Sequence, residues 1–415
     1  MLLDPGPSLD SSSSSKEQAA SPPNSGCLQV ILKILANDKM LAEHPRILSK
    51  SLSLLQCLWK AASDHYAAIK TLKDSPGFWR NLLKPLRVPV EHTHQRDSSH
   101  AHQLLVRAHV LGILALEIFY TAERGTLDAA LKSELEELGS SKSGAPLVTR
   151  WLAEYAQCDF NEGLFKALQT QAREIDINFH ELRVAYTQTE RIEYGANRFY
   201  DVNVIRRKLF PQSDAIDGIF SGTGSMGPST LAGDDELLHN ATLGEREEQA
   251  REFIRTLGFV NLNFSLCDAQ ASLLAMYRSF LQITTLRQPD LILSFSKGLA
   301  GTAATAQMIL ALAEKLQEQT GDGYFKLNVL ENLASLCTFL VSQWCKNAAD
   351  APTPTFVVTI LSALGATMQK ALRLSSRTLQ PTQLLAELLI TQLTLLNYAK
   401  YVKRVSECVS ECVSE

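Results

Sequence analysis

Five of the nine histidines lie close together, at a spacing that could bind a metal ion. They are His92, His94, His100, His102 and His109. Histidine is the commonest metal ligand, and pairs separated by one residue could chelate a metal weakly. A dedicated site also needs a rigid frame, but the segment VPVEHTHQRDSSHAH, which contains Glu91 and Asp97, is typical of a polar loop. We therefore interpret this stretch as a solvated loop rather than a metal site.

A glycine motif further along the chain has the spacing of a dinucleotide-binding loop. In GTGSMG, the residues Gly222, Gly224 and Gly227 match the pattern GxGxxG. That fingerprint requires a strand before it and a helix that begins within it. Here Pro228 and a polar stretch follow, without alternating strand and helix patterns around the motif. We interpret the motif as a flexible linker and expect no cofactor.

The sequence offers no recognisable machinery for nucleophilic catalysis. It contains no GxSxG, HExxH or GxxxxGK[ST] motif. The basic run Arg206, Arg207 and Lys208 could bind phosphate or serve nuclear import. Because Ile205 and Leu209 flank the run, the solvent-facing side of an amphipathic helix is the better interpretation. We expect a protein that is not an enzyme.

Cysteine usage indicates a reducing compartment. The eight cysteines are Cys27, Cys57, Cys158, Cys267, Cys337, Cys345, Cys408 and Cys412. No two of them have the CxxC spacing of zinc or redox sites. Most lie in apolar helical patterns, as Cys57 does in LLQCLW, and we expect them to be small buried apolar side chains. Such usage is typical of the cytosol or nucleus.

Charge and composition exclude other classes of protein. Forty basic and 44 acidic residues give a net charge of −4, which argues against a nucleic-acid-binding domain. Hydrophobic residues make up 45% and charged residues 20%, as in globular proteins. The longest apolar run we identify, 299–313, is shorter than the roughly 18 residues of a spanning helix. We expect a soluble protein without a membrane span.

The elements that must position these residues are helices, because apolar residues recur with a helical period along most of the chain. The first two stripes are Leu28, Ile31, Leu32 and Leu35, then Leu48, Leu52, Leu55 and Trp59. Later helices are predicted at about 147–157, 161–190, 201–210, 301–318, 324–346 and 354–374. The segment FVVTI (356–360) has the composition of a strand but continues into a helical pattern.

Several helix boundaries also follow from the sequence. Pro76 is predicted to begin a short helix that Pro85 ends, and Thr126 is predicted to cap the helix LDAALKSELEEL, which Gly139 closes. The last helix, 381–404, is predicted to bury a leucine stripe. The stripe consists of Leu385, Leu389, Leu393 and Leu396, widened by Leu384 and Leu388.

These patterns predict an all-α protein, organised as an irregular α-solenoid of stacked antiparallel helix pairs. Residues 1–25 are expected to be a disordered leader, because five consecutive serines cannot bury apolar surface. Solenoid segments are expected over 26–210 and 245–404, joined by a flexible Gly-, Ser- and Asp-rich loop at 211–244. Residues 405–415 repeat VSEC, which is typical of a slipped repeat or a sequence artefact.

Three strings resemble a known family. They are LLQCLWKAASDHYAAIKTLKDSPGFWRNLLKPL (54–86), LALEIFYTAERGTLDAALK (114–132) and YGANRFYDVNVIRRKLF (194–210). The first two carry Leu58-Trp59, Phe78-Trp79 and Glu117 in the order found in the large scaffold nucleoporins of the inner ring, the 188-kDa nucleoporin family. The third is similar to the fungal members. The resemblance covers about 46–210, and members of the family are several times longer, so we expect a middle-to-C-terminal fragment.

The resemblance implies a function as well as a fold. It implies a non-enzymatic α-solenoid that helps to build the inner ring of the nuclear pore complex at the nuclear envelope and supports nucleocytoplasmic transport. Its implied partners are other nucleoporins, including the linker nucleoporins of the inner ring, rather than small molecules or nucleic acid. A HEAT-like adaptor for another cytosolic complex, such as the trafficking machinery, is the alternative.

Overall fold

The protein is almost entirely helical wherever its structure is described. The computed structural model describes residues 25–90, 98–124, 127–139, 147–156, 162–174, 186–187, 199–200, 202–209, 234–288, 303–319, 327–347, 354–378 and 383–414. The prediction of an all-α protein is confirmed. The predicted leader 1–25 falls almost wholly outside these ranges, since the first helix begins at its last residue.

Helices follow one another closely along the chain. Those before residue 175 are α1 (Ser25–Ala36), α2 (Met40–Glu43), α3 (Pro45–Lys60), α4 (Tyr66–Lys73), α5 (Phe78–Arg87), α6 (Ser98–Arg124), α7 (Ala129–Gly139), α8 (Leu147–Tyr155) and α9 (Glu162–Glu174). Those after it are α10 (Val202–Leu209), α11 (Asp234–Arg287), α12 (Ala303–Gln319), α13 (Leu327–Asn347), α14 (Pro354–Thr378) and α15 (Gln383–Ser414). FVVTI lies in α14 and is helical, as its continuation predicts.

A short strand pair interrupts the helices. Strand β1 (Tyr186–Thr187) pairs antiparallel with β2 (Phe199–Tyr200), so that Tyr186 faces Tyr200. The prediction of one helix over 161–190 is therefore wrong at its C-terminal end, since α9 is described to Glu174 and β1 follows. Tyrosine and threonine favour extended backbone, and the partner strand supplies the backbone hydrogen bonds that a helix would have made internally.

Two predicted boundaries around α5 are wrong. The helix begins at Phe78, after Gly77 adopts a left-handed φ of 72° that glycine tolerates best. Pro76 therefore precedes the helix instead of starting it. Pro85 lies inside the helix, which continues to Arg87. Because the missing N–H of Pro85 falls in the last turn, the helix extends two residues beyond the proline. Gly139 ends α7, as predicted.

The longest element is α11, a single helix of 54 residues and therefore about 80 Å in length. It begins at Asp234, inside the segment 211–244 that the sequence predicted to be a loop. The prediction is wrong for 234–244. The run DDELL places acidic residues in the first helical turn, where the helix dipole favours negative charge. Residues 211–233 lie outside the described part of the chain.

The long helices pack side by side in the order α3, α6, α11, α13 and α15. Contacts fix the direction of each neighbour. Residues Gln56 and Lys60 of α3 bond His109 and Tyr120 of α6, so these helices run parallel. Helices α6 and α11 are also parallel, since Gly112 lies against Met276 and Phe119 against Arg287.

The same arrangement recurs at the C-terminal end of the row. Ser335 bonds Glu387 and Trp344 contacts Tyr398, so α13 and α15 run parallel. The remaining helices pack against this row: α5 contacts both α6 and α7, whereas α12 and α14 contact each other and also pack on α13 and α15 respectively.

Two hydrophobic cores lie along α11. The larger core runs from α1 through α8, the C-terminal part of α11 and α12 to α15. The smaller core surrounds the N-terminal part of α11, where Leu168, Tyr200 and Ile205 pack against Phe253 and Phe264. The long helix therefore connects the two cores.

One helix in the described residues is long and apolar enough to cross a membrane. Within Ser99–Thr121 of α6, an 18-residue window has a mean hydropathy of 1.6, and 72% of that window is buried inside the protein. This segment differs from 299–313, the apolar run expected from the sequence to be the longest. A central core helix passes the same test of length and composition, and α6 packs on both α3 and α11.

The buried face of α15 differs from the predicted one. Leu384 and Leu388 are buried as predicted and Leu385 is half-buried, but Leu389, Leu393 and Leu396 of the predicted stripe are about half exposed. Leu395, which was not in the predicted stripe, is buried. Both faces of this helix are rich in leucine, and the position of α13 and α14 decides which of them is covered.

Candidate functional site

An aromatic cluster joins α3 and α5. The ring of Trp59 stacks on that of Phe78 with 6.0 Å between centroids, and Trp79 meets both rings edge-on at 6.3 and 5.0 Å. All three side chains are at most 3% exposed. Aromatic pairs in these arrangements add to the stability gained from burial. We name Trp59, Phe78 and Trp79 the tryptophan cluster.

Two carboxylates satisfy the polar atoms of this cluster. The indole Nε1 of Trp59 donates a hydrogen bond of 2.9 Å to Glu117 Oε2 on α6. Lys73 Nζ on α4 donates to the other oxygen of Glu117 at 2.5 Å and also lies 5.9 Å from the centre of the Trp79 ring. The buried charge of Glu117 is thereby paired, as buried charges require.

The second carboxylate has two functions. Trp79 Nε1 donates to Asp128 Oδ2 at 3.1 Å, and the Oδ1 atom of Asp128 accepts the backbone N–H of Ala130 at 2.9 Å. Asp128 is therefore the residue that caps α7, where the sequence predicted Thr126, which lies outside the described residues. One side chain both begins α7 and fixes it to the tryptophan cluster.

A second polar junction connects α3, α6 and α11. Nδ1 of His109 donates to Gln56 Oε1 at 2.7 Å, and Gln56 Nε2 lies 3.5 Å from the sulfur of Met276. A Cβ at Gly112 would lie 2.1 Å from Gln56 Nε2 and 3.1 Å from the Met276 sulfur, so a residue without a side chain allows this close approach. We name these four residues the Gln56 junction.

The charge state of His109 follows from its position. Burial lowers the pKa of His109 to about 4, with smaller contributions from the nearby positive charges of Lys60 and Lys50. The imidazole is therefore neutral near pH 7, which suits donation from Nδ1 to an amide oxygen.

The predicted histidine loop is partly wrong. Helix α6 begins at Ser98, so His100 and His102 are helical, and His102 is buried. Two positions apart on a helix, they project from nearly opposite sides and do not form a pair. His92, His94, Glu91 and Asp97 lie outside the described residues. Within the described ranges, no group of three or more His, Cys, Asp or Glu side chains is placed to hold a metal ion.

The described thiols range from fully buried to exposed. Burial raises the pKa of Cys337 to about 12 and that of Cys345 to about 11, so both stay protonated at neutral pH. Cys57 is exposed, contrary to the prediction, because it lies about 200° around α3 from the buried Leu55. Cys267 is buried and Cys27 is exposed.

The remaining sequence motifs lie on helix surfaces or outside the described residues. Arg206 and Arg207 are exposed on α10 while Ile205 is buried, which confirms for these two arginines the interpretation as the solvent side of an amphipathic helix. The side chain of Lys208 lies outside the described part of the protein. Residues 405–414 continue α15 as helix. The motif GTGSMG and Cys158 lie outside the described ranges.

Sequence reasoning missed the contact between β2 and α11. The side chain of Asn261 bonds both backbone groups of Tyr200: its Oδ1 accepts the N–H at 2.8 Å and its Nδ2 donates to the carbonyl at 2.9 Å. An amide side chain therefore pairs with Tyr200 as a neighbouring strand would. The Tyr200 ring stacks on Phe264, with 6.4 Å between centroids. An asparagine within an apolar helical stretch was the available signal.

The outermost helices of the row expose apolar side chains. On α15, Leu389, Ile390, Leu393 and Leu396 are 45–51% exposed, and we name them the α15 stripe. On α3, Ile47 and Leu54 are 51% and 57% exposed. Apolar surface thus remains at both edges of the helical row.

Comparison with known proteins adds no family to these observations. Neither the protein-family models nor the curated proteins that were searched match this chain.

Proposed function

We propose that this chain is a structural scaffold of the inner ring of the nuclear pore complex, built as an irregular α-solenoid and without enzymatic activity. The observation that carries the proposal is the tryptophan cluster. Its three residues lie in the string 54–86, and the carboxylates that accept hydrogen bonds from its two indoles lie in 114–132, the second string that resembles the large inner-ring scaffold nucleoporins. The two strings therefore pack together through specific hydrogen bonds.

The contacts between these strings are specific. Trp59 and Trp79 belong to the string 54–86, whereas Glu117 and Asp128 belong to 114–132, and each tryptophan donates to one of these carboxylates. Tyr120 of the second string donates to the backbone oxygen of Lys60 in the first. The third string, which contains β2 and α10, packs on α11 through Tyr200. The resemblance therefore follows residues that hold helices together, as expected for a scaffold.

The solenoid part of the proposal rests on the direction of neighbouring helices. In a solenoid, equivalent helices of successive pairs stack in parallel, and the second helix of each pair returns beside them. Helices α13 and α15 are parallel, and α12 and α14 pack on each other and on this pair. Helices α3, α6 and α11 are likewise parallel to one another, with α7 to α10 between α6 and α11 in the chain.

The non-enzymatic part of the proposal rests on the protonation and pairing of the reactive groups. Burial raises the pKa of the Tyr155 and Tyr277 hydroxyls as well as that of the Cys337 thiol, which makes each of them a poor base or nucleophile. Glu117 and Asp128 are occupied by tryptophan N–H donors. These groups stabilise the protein rather than act on a substrate.

A HEAT-like adaptor of another complex is the second candidate. The α15 stripe favours neither function, since scaffolds of both kinds bind partners on exposed helix faces. Location in the cell separates them. The gene tagged at its own locus should give a fluorescent rim at the nuclear envelope, whereas diffuse cytosolic signal would refute the pore assignment.

A matched pair of variants tests whether the rim signal depends on the tryptophan cluster. Trp79→Ala should destabilise the protein by ~3–5 kcal/mol and lower both its abundance and the rim signal. Val358→Ala, which changes a side chain that is 63% exposed, should leave both unchanged. Rim signal that survives Trp79→Ala at normal abundance would contradict the role given to the cluster.

A further inference from the structure

The α15 stripe has the geometry of a binding face for one helix. Leu389, Leu393 and Leu396 follow one another at intervals of four and three residues, and Ile390 lies beside them. This spacing gives a straight apolar seam along α15, and helices that bind on such seams present anchors at i, i+3, i+4 and i+7. The opposite face of the same helix, with Leu384, Leu388 and Leu395, is already covered by α13 and α14.

The size of the stripe distinguishes between occupants. A stable interface between two folded proteins uses about 20–30 residues on each side. The α15 stripe has four large side chains, each about half exposed. A second copy of this chain that used the stripe alone would have too little apolar surface for a stable dimer, whereas a single amphipathic helix would cover the stripe fully.

The charged side chains next to the α15 stripe indicate which charge a bound helix should carry. Between residues 384 and 400, α15 has two charged side chains, Glu387 and Lys400. Glu387 is half-buried and accepts a hydrogen bond of 2.7 Å from Ser335, so it is directed toward α13. Lys400 is exposed one turn beyond Leu396. The surface therefore offers an apolar seam with a positive charge at one end.

We propose that the α15 stripe binds an amphipathic helix of another protein, with a leucine or isoleucine seam and an acidic residue placed against Lys400. The helix lies along α15 in the position that the next helix of the row would take. This proposal names the class of partner for the scaffold function above and rests on it. Its test uses purified protein, so it can fail independently of the location of the protein in the cell.

The test is a titration of the purified chain with labelled model helices, followed by fluorescence anisotropy. One designed peptide carries leucines at i, i+4 and i+7 followed by glutamates, and its partner peptide has lysines in place of the glutamates. The glutamate peptide should bind more tightly than the lysine peptide. Lys400→Glu should reverse that preference.

Two further variants locate the binding. Leu393→Gln, and independently Leu396→Gln, should weaken binding of the glutamate peptide at least tenfold while leaving the circular dichroism spectrum unchanged. Leu54→Gln is the matched control, because Leu54 is equally exposed on α3 at the other edge of the row, and it should leave binding unchanged. Equal binding of both peptides, or binding that survives both stripe variants, would overturn the proposal.

Analytical ultracentrifugation tests the alternative occupant. The chain should sediment as a monomer at concentrations where the glutamate peptide binds. A dimer that Leu393→Gln abolishes would show that a second copy covers the stripe, and would overturn the assignment to a partner helix.

Discussion

The indole of Trp59 donates a 2.9 Å hydrogen bond to Glu117, 58 residues away along the chain. The bond is buried and joins α3 to α6, while Lys73 of α4 pairs with the second oxygen of the same carboxylate. Three helices thus meet at one charged group. In this setting the tryptophan is a hydrogen-bond donor as well as an apolar side chain, and a phenylalanine could fill its place only in part.

Trp59→Phe should therefore lower the free energy of unfolding by more than the smaller side-chain volume alone would explain. The variant leaves a buried carboxylate oxygen without its indole donor, which costs ~1–3 kcal/mol. Urea denaturation followed by circular dichroism measures the loss. Tyr120→Phe removes a longer, exposed hydrogen bond of 3.4 Å and should change stability by less than about 0.5 kcal/mol.

A double-mutant cycle isolates the pair itself. Trp59→Phe combined with Glu117→Leu, which removes both acceptor oxygens, should give a coupling of ~0.5–3 kcal/mol, as is usual for residues in one hydrogen-bond network. Strict additivity of the two changes would show that the bond contributes nothing of its own.

Helix periodicity predicts the existence of these elements better than it predicts their faces. On α15, leucines occur on both sides, so a periodic pattern identifies a helix without deciding whether Leu388 or Leu389 is inside. The decision depends on α13, which packs on the side that carries Leu384, Leu388 and Leu395. For Cys57 the apolar neighbours along the chain gave a false signal of burial, because neighbours in sequence project from different sides of a helix.

Contacts between residues far apart in the chain could not be predicted from the sequence either. The close packing of α6 on α11 brings Gly112 against Met276, with more than 160 residues between them. No local pattern specifies such a contact. By contrast, the aromatic residues of the tryptophan cluster are prominent within the single segment 54–86, although their hydrogen-bond partners could not be predicted from the sequence.

Two glycines in helices should respond in opposite ways to alanine. Gly258→Ala places a Cβ in open space and should stabilise α11 by ~0.5–1 kcal/mol, since glycine is a poor helix former. Gly112→Ala gains the same propensity but forces Gln56 away from His109 and crowds the Met276 sulfur. The lost hydrogen bond and overpacking, ~1–3 kcal/mol, should make it destabilising overall.

Thermal and urea unfolding of both variants give the comparison. Gln56→Ala in the Gly112→Ala background should recover part of the loss, because it removes the side chain that the new methyl group would strike. If Gly112→Ala were as stabilising as Gly258→Ala, the helices at the Gln56 junction would not be as close as described.

His109 should make the stability of the protein depend on pH in a defined window. Its pKa is about 4 when folded, below the ordinary value of 6.5, because burial opposes the charged form. The unfolded chain therefore binds the proton more readily between pH 6.5 and 4. The contribution of His109 is fully present above pH 6.5 and is lost as the pH falls toward 4, with a slope of at most ~1.4 kcal/mol per pH unit.

The measurement compares urea unfolding of the wild type and His109→Gln from pH 7.5 to 4. Carboxylates that titrate at the acid end are common to both proteins, so the difference between the two curves isolates the histidine. The free energy of unfolding of the wild type should fall relative to that of the variant as the solution is acidified. Parallel curves would mean that His109 is not buried in a neutral form.

Asn261 should hold β2 on α11 through its amide. Asn261→Ala removes both hydrogen bonds to the backbone of the buried Tyr200, at a cost of ~1–3 kcal/mol. Asn261→Asp keeps the acceptor for the Tyr200 N–H but replaces the donor with a second oxygen that repels the Tyr200 carbonyl. Both variants should therefore be destabilised, while the aspartate variant still protects the Tyr200 amide.

Ser265→Ala serves as the control, because it changes a side chain that bonds the Asn261 carbonyl within α11. Its free energy of unfolding should stay within about 0.5 kcal/mol of the wild-type value. Hydrogen exchange at the Tyr200 amide gives the direct readout. Exchange should accelerate in Asn261→Ala and stay slow in Ser265→Ala. Equal protection in both variants would show that Asn261 does not hold β2 on α11.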